Sequence, residues 1–99
     1  MEVVEAVLTT LEEQTNVSLI AMKSRCREAN IREARQLAIH FIHKYSGLSL
    51  NKSARMLNRH HTTALHGNKV VSNELETNKM YKRQYTFINA LIVNRIKNG

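Results

Sequence analysis

The stretch that decides the fold is residues 47–71, which read GLSLNKSARMLNRHHTTALHGNKVV. A short helix rich in small residues is predicted for residues 49–57, with Ser49 as its N-cap. A turn at residues 58–60 follows, and a second helix opens with the polar triplet at residues 61–63. This spacing is typical of a helix-turn-helix, in which side chains in the first turn of the second helix reach base edges.

Side chains at the start of the second helix have the chemistry for reading bases. His61 can donate or accept a hydrogen bond, and Thr62 offers a hydroxyl together with a methyl group that fits against a thymine methyl. Lys52, in the first turn of the first helix, is a cation at a position that the helix dipole disfavours. A nearby phosphate would explain this choice, and an exposed Lys tolerated at small cost explains it equally well.

Positive charge is concentrated around this motif. The 99-residue chain has a formal net charge of +7. Residues 1–22 carry four Glu and no Lys or Arg, whereas residues 23–69 carry ten Lys or Arg against Glu28 and Glu33. A phosphate-facing surface requires such clustering, so we expect double-stranded DNA as the partner. The alternative on charge alone is a basic helical domain whose Lys and Arg side chains are merely solvated.

Length and composition predict one domain spanning residues 1–99. Pro is absent and Gly occurs three times, so no flexible linker is indicated. The single cysteine, Cys26, excludes an internal disulfide and suits a reducing compartment. No apolar run approaches the length of a membrane span, and the acidic opening is unlike a signal peptide. We therefore expect a cytoplasmic, nucleoid-associated protein without membrane contact.

Helical periodicity runs through the rest of the chain, and no segment alternates with period two. Helices are predicted at about residues 3–15, 19–22 and 30–45. Asn30 with Glu33 resembles a capping box at the start of the third helix, and Gly47 stands where a left-handed residue would close that helix. We predict an all-α domain of about six helices around a central helix-turn-helix.

The last predicted helix, residues 79–97 after an Asn78 cap, carries a wide apolar face. One stripe consists of Tyr81, Tyr85, Ile88, Ile92 and Ile96, and a second of Met80, Phe87 and Leu91. We expect this helix to pack across the first and third helices of its own chain. The alternative is that a second copy, in a homodimer, or another protein covers part of the face.

The second helix of the motif also needs a buried side. Its expected members are Ala64, either Gly67 or Asn68, Val71 and Leu75. A glycine inside a helix is costly, so we expect Gly67 to permit close packing, with Ala54 as its neighbour.

Three stretches between about residues 11 and 71 resemble one known family. They are the basic loop at residues 23–27, the helix at residues 31–39 with Arg35-Gln36-Leu37-Ala38, and Arg59-His60-His61-Thr62-Thr63-Ala64-Leu65-His66. The last is similar to a signature that normally reads Arg-Asp-His-Thr-Thr-Val-Leu-His. The family is the C-terminal DNA-binding domain of the bacterial replication initiator DnaA. The resemblance implies a Trp-repressor-like helix-turn-helix, here as a stand-alone domain, and residues 76–99 have no matched counterpart.

The resemblance also implies which residues contact DNA. The base-contacting set is Arg27, in the minor groove, with His60, His61 and Thr62 in the major groove. For phosphates the resemblance implies Arg35, Leu50 (through its backbone) and Thr63. We add the basic side chains around the motif to this phosphate-contacting set: Arg25, Lys52, Arg59 and Lys69. An Arg suits a narrow A·T-rich minor groove because negative potential is concentrated there. Without the signature, Arg25 and Arg27 would be interpreted as part of a solvated basic loop.

The chain departs from the family pattern in three places. His60 stands where the signature has Asp, which only accepts hydrogen bonds when ionised, whereas neutral His accepts or donates; this leaves the preferred base open. The turn before Arg59 is one residue shorter and lacks a family glycine. No G-x-x-x-x-G-K-[ST] loop occurs, so we expect no nucleotide binding. The resemblance thus implies DNA recognition rather than origin melting, in replication or transcription regulation of a bacterium or phage.

Other functions have less support. Five histidines invite a metal site, but neither His40 with His43 nor His61 with His66 lies in an HExxH-type pattern. With no Asp and one Cys, the chain offers no nucleophile–base–orienter set, so we expect neither enzyme activity nor a cofactor. The serious alternative is a protein-interaction module that docks a partner through the apolar C-terminal helix.

Overall fold

The computed structural model describes residues 2–98 and contains six α-helices in that part of the chain. They are α1 (Val3–Thr15), α2 (Leu19–Lys23), α3 (Ala29–Ser46), α4 (Leu50–Arg55), α5 (His61–Thr77) and α6 (Lys79–Asn98). No strand occurs among these residues, so the predicted all-α fold of about six helices is confirmed. Nowhere in residues 2–98 does a helix combine the length and the hydropathy of a membrane-spanning segment.

Local capping signals set several helix boundaries. The Ser49 hydroxyl accepts a hydrogen bond from the N–H of Lys52 at 3.1 Å, and the side-chain oxygen of Asn78 accepts one from the N–H of Tyr81 at 3.1 Å. Gly47 ends α3 with φ of 77°, a left-handed conformation that costs glycine little. All three predicted caps are confirmed, because each depends only on residues that are close in sequence.

The start of α3 differs from the prediction. The helix begins at Ala29, because the N–H of Arg32 already bonds to the carbonyl of Glu28 at 2.9 Å. Glu28 is the N-cap residue, and its side chain makes no capping hydrogen bond. Asn30 therefore lies inside the first turn, and the predicted capping box with Glu33 is wrong.

The core lies between α3 and the helices around it. α3 packs against α1, α2, α4 and α5, and α6 packs against α1 and α5. The largest fully buried apolar side chains are Val7, Leu11, Met22, Phe41, Ile42, Leu57, Val71, Ile88 and Ile92. Burial of one such side chain contributes about 1.5–3 kcal/mol. Because Leu57 and Val71 belong to this core, the helix-turn-helix is fixed to the rest of the domain.

The first predicted stripe of α6 packs on its own chain. Ile88 and Ile92 are fully buried, and Tyr85 reaches α3. The expected contact with α1 is confirmed, and an ion pair of 2.6 Å between Arg95 and Glu13 secures it. This packing satisfies the stripe without a second copy of the chain.

The second predicted stripe of α6 is largely uncovered. Met80 is 78 % exposed and Phe87 58 % exposed, whereas Leu91 is half-buried. One face of α6 is therefore core, and the adjacent face is an apolar surface flanked by basic side chains such as Lys82 and Arg83.

Gly67 has a different neighbour from the one expected. A Cβ atom at Gly67 would lie 3.1 Å from Cγ of Gln36, so the glycine lets α5 approach α3 closely. The three nearest atoms to this position all belong to Gln36 rather than to Ala54, the expected neighbour. Ala64, Gly67 and Val71 are the buried residues of α5, while Leu75 packs against the core with partial exposure.

Candidate nucleic-acid interface

The turn between α4 and α5 is held by its backbone. Asn58 adopts a left-handed conformation with φ of 57°, which Asn tolerates better than most non-glycine residues. The N–H of Arg59 bonds to the carbonyl of Ala54 at 2.9 Å, and the Leu57 side chain is buried in the core. α4 accordingly ends at Arg55, two residues before the predicted end. A glycine is not needed at this turn because Asn58 supplies its conformation.

The predicted major-groove residues lie at the N-terminus of α5. His60 is the N-cap residue with an extended backbone, and its side chain makes no capping hydrogen bond. His60, His61, Thr62 and Thr63 are all exposed. The first N–H groups of a helix carry partial positive charge, so this end of α5 favours a phosphate or an electronegative base edge.

A hollow of about 530 Å³ lies between α4 and the start of α5. Its lining residues are Asn51, Arg55, Asn58, Arg59, His60, His61 and Thr62. Sequence reasoning predicted Arg59 and the residues after it but missed Asn51 and Arg55. These two are four residues apart and therefore share one face of α4, a spacing that could have revealed them. On the same helix, Lys52 is exposed and Leu50 is half-buried at the first helical position.

A second hollow, of about 370 Å³, joins the basic loop to α5. The connection between α2 and α3, residues 24–28, contains four of the five residues of the predicted basic loop, and both Arg25 and Arg27 are exposed. The hollow is lined by Arg25, Arg27, Arg32, Arg35, Gln36, Ile39, Arg59, Thr63, Ala64, His66 and Gly67. The fold thus brings Arg27 and Thr63, which are far apart in sequence, to one concave basic surface.

Arg32 and His66 belong to the second hollow although neither was predicted. Both are exposed. Arg32 lies one turn before Arg35 on α3, and His66 lies one turn after Thr62 and Thr63 on α5, so helical spacing was the signal for both. Lys69, which was predicted, is exposed a further turn along α5 and shares a shallow groove with His66.

Arg35 does not have the exposure expected of a phosphate-binding side chain. It is 7 % exposed, and its guanidinium donates hydrogen bonds to three backbone carbonyls. Burial, together with the positive charge of Arg59, lowers the pKa of Arg35 from its ordinary value. Direct phosphate contact by Arg35 remains a prediction, and Nη1 is the guanidinium nitrogen outside these three bonds.

The remaining histidines have structural partners. His40 lies between Asn68 and Tyr85, and His43 Nδ1 lies 2.8 Å from the carbonyl oxygen of Leu48. In residues 2–98, no three or more His, Cys, Asp or Glu side chains are grouped so that they could hold a metal ion.

These features define a helix-turn-helix domain. Two helices are joined by a short turn, the second helix exposes His and Thr side chains at its start, and a basic loop adjoins it. The chain belongs to the family described as the bacterial dnaA protein helix-turn-helix, whose model matches residues 4–71. The match includes α1, so the family relationship begins earlier than the resemblance over residues 11–71 indicated.

The curated relatives are chromosomal replication initiator proteins DnaA. The protein of Porphyromonas gingivalis is 29% identical over 92 residues, which are 92% of this chain and 20% of the relative. The protein of Flavobacterium psychrophilum is 35% identical over 74 residues, which are 74% of this chain and 16% of the relative. The chain thus spans about a fifth of these relatives or less. Because the longer match includes most of α6, residues after 75 do have a counterpart, contrary to the sequence-based interpretation.

Proposed function

We propose that this chain binds double-stranded DNA in a sequence-specific manner. The N-terminus of α5 enters the major groove, and the basic loop enters the neighbouring minor groove. One observation carries this proposal: loop arginines and Thr63 of the recognition helix line the same hollow. Membership of the family supports it, because a helix-turn-helix of a replication initiator implies DNA binding.

The residues predicted from the sequence have distinct roles in this proposal. His60, His61 and Thr62 read base edges, and Arg27 lies in the minor groove, where an A·T-rich sequence concentrates negative potential. The phosphate contacts come from Arg25, Lys52, Arg59, Thr63, Lys69 and the backbone of Leu50. His60 either accepts or donates at its base, depending on its tautomer, so its preference differs from that of a carboxylate.

We further propose that the bound DNA is a regulatory site in a bacterial or phage genome, at a replication origin or a promoter. The relatives carry the name of chromosomal replication initiators, which favours the origin. Such a site places the chain at the nucleoid in the cytoplasm. We assign DNA recognition, and no catalytic step, to residues 2–98.

Selection from a pool of random duplexes tests the proposal. The purified chain should enrich one motif, with an A·T-rich part beside the part that α5 reads. A chain carrying both Thr62→Ala and Arg27→Ala, selected in parallel, should enrich nothing above the starting pool. Enrichment of no motif by the unaltered chain, at low salt, would contradict sequence-specific binding.

A further inference from the structure

The guanidinium of Arg35 holds the backbone of the basic loop. Its Nε donates to the carbonyl of Met22 at 2.6 Å, and its Nη2 donates to the carbonyls of Ser24 and Cys26 at 3.1 and 3.0 Å. These carbonyls belong to alternate residues, so three peptide groups are turned toward one buried side chain. The side chains of Arg25 and Arg27, beside those carbonyls, are exposed.

A second guanidinium ties the same loop to the turn of the helix-turn-helix. Arg59 Nη2 donates to the carbonyl of Ser24, and Arg59 Nη1 donates to the carbonyl of Asn58 at 3.0 Å. Asn58 Nδ2 in turn lies 3.5 Å from the carbonyl of Lys23. The carbonyl oxygen of Ser24 therefore accepts hydrogen bonds both from Arg35 on α3 and from Arg59 in the turn, so this one atom links the two elements.

No carboxylate neutralises this pair of arginines in the part of the chain that the structure describes, where the ion pair joins Arg95 to Glu13 instead. The two like charges are close enough that Arg59 lowers the pKa of Arg35. Such a pair is unfavourable by itself, and carbonyl dipoles compensate it only in part. The two neighbouring arginines are therefore better explained by the loop that they position than by a contribution to the stability of the fold.

We propose that Arg35 and Arg59 are positioning residues that lock the basic loop to the start of α5, so that minor-groove and major-groove contacts form as one unit. The inference rests on the proposed DNA binding. Two rigidly joined elements lose less conformational entropy on binding than a loop that must be ordered at that moment. Arg is required at position 35 because its planar fork reaches several acceptors at fixed angles, whereas a Lys ammonium is a compact charge.

Labelling of the Cys26 thiol tests the lock without DNA. Cys26 is the one cysteine of the chain and lies in the basic loop, so a thiol reagent reports on this loop alone. Arg35→Lys and Arg35→Gln should raise the labelling rate about tenfold as the loop opens, since an exposed thiol reacts faster than a shielded one. Arg35→Lys keeps the positive charge, so faster labelling of that variant cannot be a charge effect.

Two further variants complete the labelling experiment. Arg83→Gln removes an exposed arginine of α6, outside the interface, and should leave the rate unchanged. Arg59→Gln removes the second hydrogen-bond donor to the basic loop without removing a core side chain. If circular dichroism shows that the Arg35 variants do not fold, the labelling rate of Arg59→Gln tests whether the loop is held in place. Unchanged labelling of folded Arg35→Lys or, in that case, of Arg59→Gln would overturn the inference.

A double-mutant cycle tests the coupling on DNA. Arg35→Lys should weaken binding to the selected duplex about tenfold in the unaltered chain, and less than about twofold when Arg25 and Arg27 are both replaced by Ala. Full affinity of Arg35→Lys would show that a positive charge at position 35 is sufficient, and equal losses in both backgrounds would show that Arg35 acts independently of Arg25 and Arg27. Either result would overturn the inference. If the unaltered chain binds no duplex, the proposed function fails and its coupling with it, while the labelling still decides whether the loop is locked.

Discussion

His40 Nε2 lies 2.7 Å from the hydroxyl oxygen of Tyr85, and His40 Nδ1 lies 3.0 Å from Oδ1 of Asn68. A neutral imidazole satisfies both bonds, with Nδ1 donating to Asn68 and Nε2 accepting from Tyr85. One side chain of α3 thereby links α5, which carries the recognition residues, to α6.

The free energy of unfolding should therefore fall as the pH falls below about 6.5. Burial lowers the pKa of His40, the hydrogen bond with Asn68 opposes this in part, and the nearby Lys44 and His43 lower the pKa further. The unfolded chain then takes up a proton that the folded chain resists, so stability is full above the ordinary pKa of 6.5 and declines below it until the lowered pKa is reached. Urea unfolding from pH 5 to pH 8 measures this. His40→Gln should flatten the curve, and an unaltered slope in that variant would show that another group is responsible.

Substitutions along α6 should separate its two faces. Ile88→Ala removes a fully buried side chain and should cost about 2–5 kcal/mol in the free energy of unfolding. Phe87→Ala, the matched control at the neighbouring position, removes a larger but exposed side chain and should change stability by less than about 0.5 kcal/mol. Equal destabilisation by the two variants would mean that the outer face of α6 is covered in solution.

The intact chain should sediment as a monomer over a wide concentration range. The apolar stripe around Ile88 and Ile92 is already buried against α1 and α5, so a partner copy is not needed to cover it. Analytical ultracentrifugation measures the mass directly. If the mass rises with concentration and Phe87→Ser abolishes the rise, two copies pair through the exposed face, and a palindromic target would then be expected.

Thr62→Ala and Lys52→Ala should affect DNA binding in different ways. Removal of the Thr62 hydroxyl and methyl should cost about 1–3 kcal/mol on the selected duplex and little on a scrambled one. Removal of Lys52 should weaken both duplexes alike and reduce the salt slope by about one unit. Fluorescence anisotropy on the two duplexes distinguishes these results. A uniform loss from Thr62→Ala would mean that α5 does not read bases as proposed.

The features that sequence could predict are those with local causes. Gly47, Ser49 and Asn78 act on backbone groups within three residues, and the helix-turn-helix spacing itself lies within 25 consecutive residues. The start of α3 was missed because the competing bond involves the backbone of Glu28, which any residue could provide.

The features that sequence could not predict depend on distant contacts. Arg35 had the pattern of an exposed phosphate-binding residue, yet its partners lie nine to thirteen positions earlier in the chain. The neighbour of Gly67 is Gln36, on another helix. Periodicity placed Phe87 in an apolar stripe, but which of two stripes faces the core depends on where α1 and α5 lie.

The most direct test of sequence-specific DNA binding is to measure how the affinity for the selected duplex depends on salt. A scrambled duplex of equal length is measured alongside. With about five basic side chains at the DNA (Arg25, Arg27, Lys52, Arg59 and Lys69), the logarithm of the association constant should fall against the logarithm of the salt concentration with a slope near −4.5. The selected duplex should bind at least about 1,000-fold more tightly than the scrambled one at physiological salt. Equal affinities for the two duplexes at every salt concentration, or no binding even at low salt, would contradict sequence-specific DNA recognition by this helix-turn-helix.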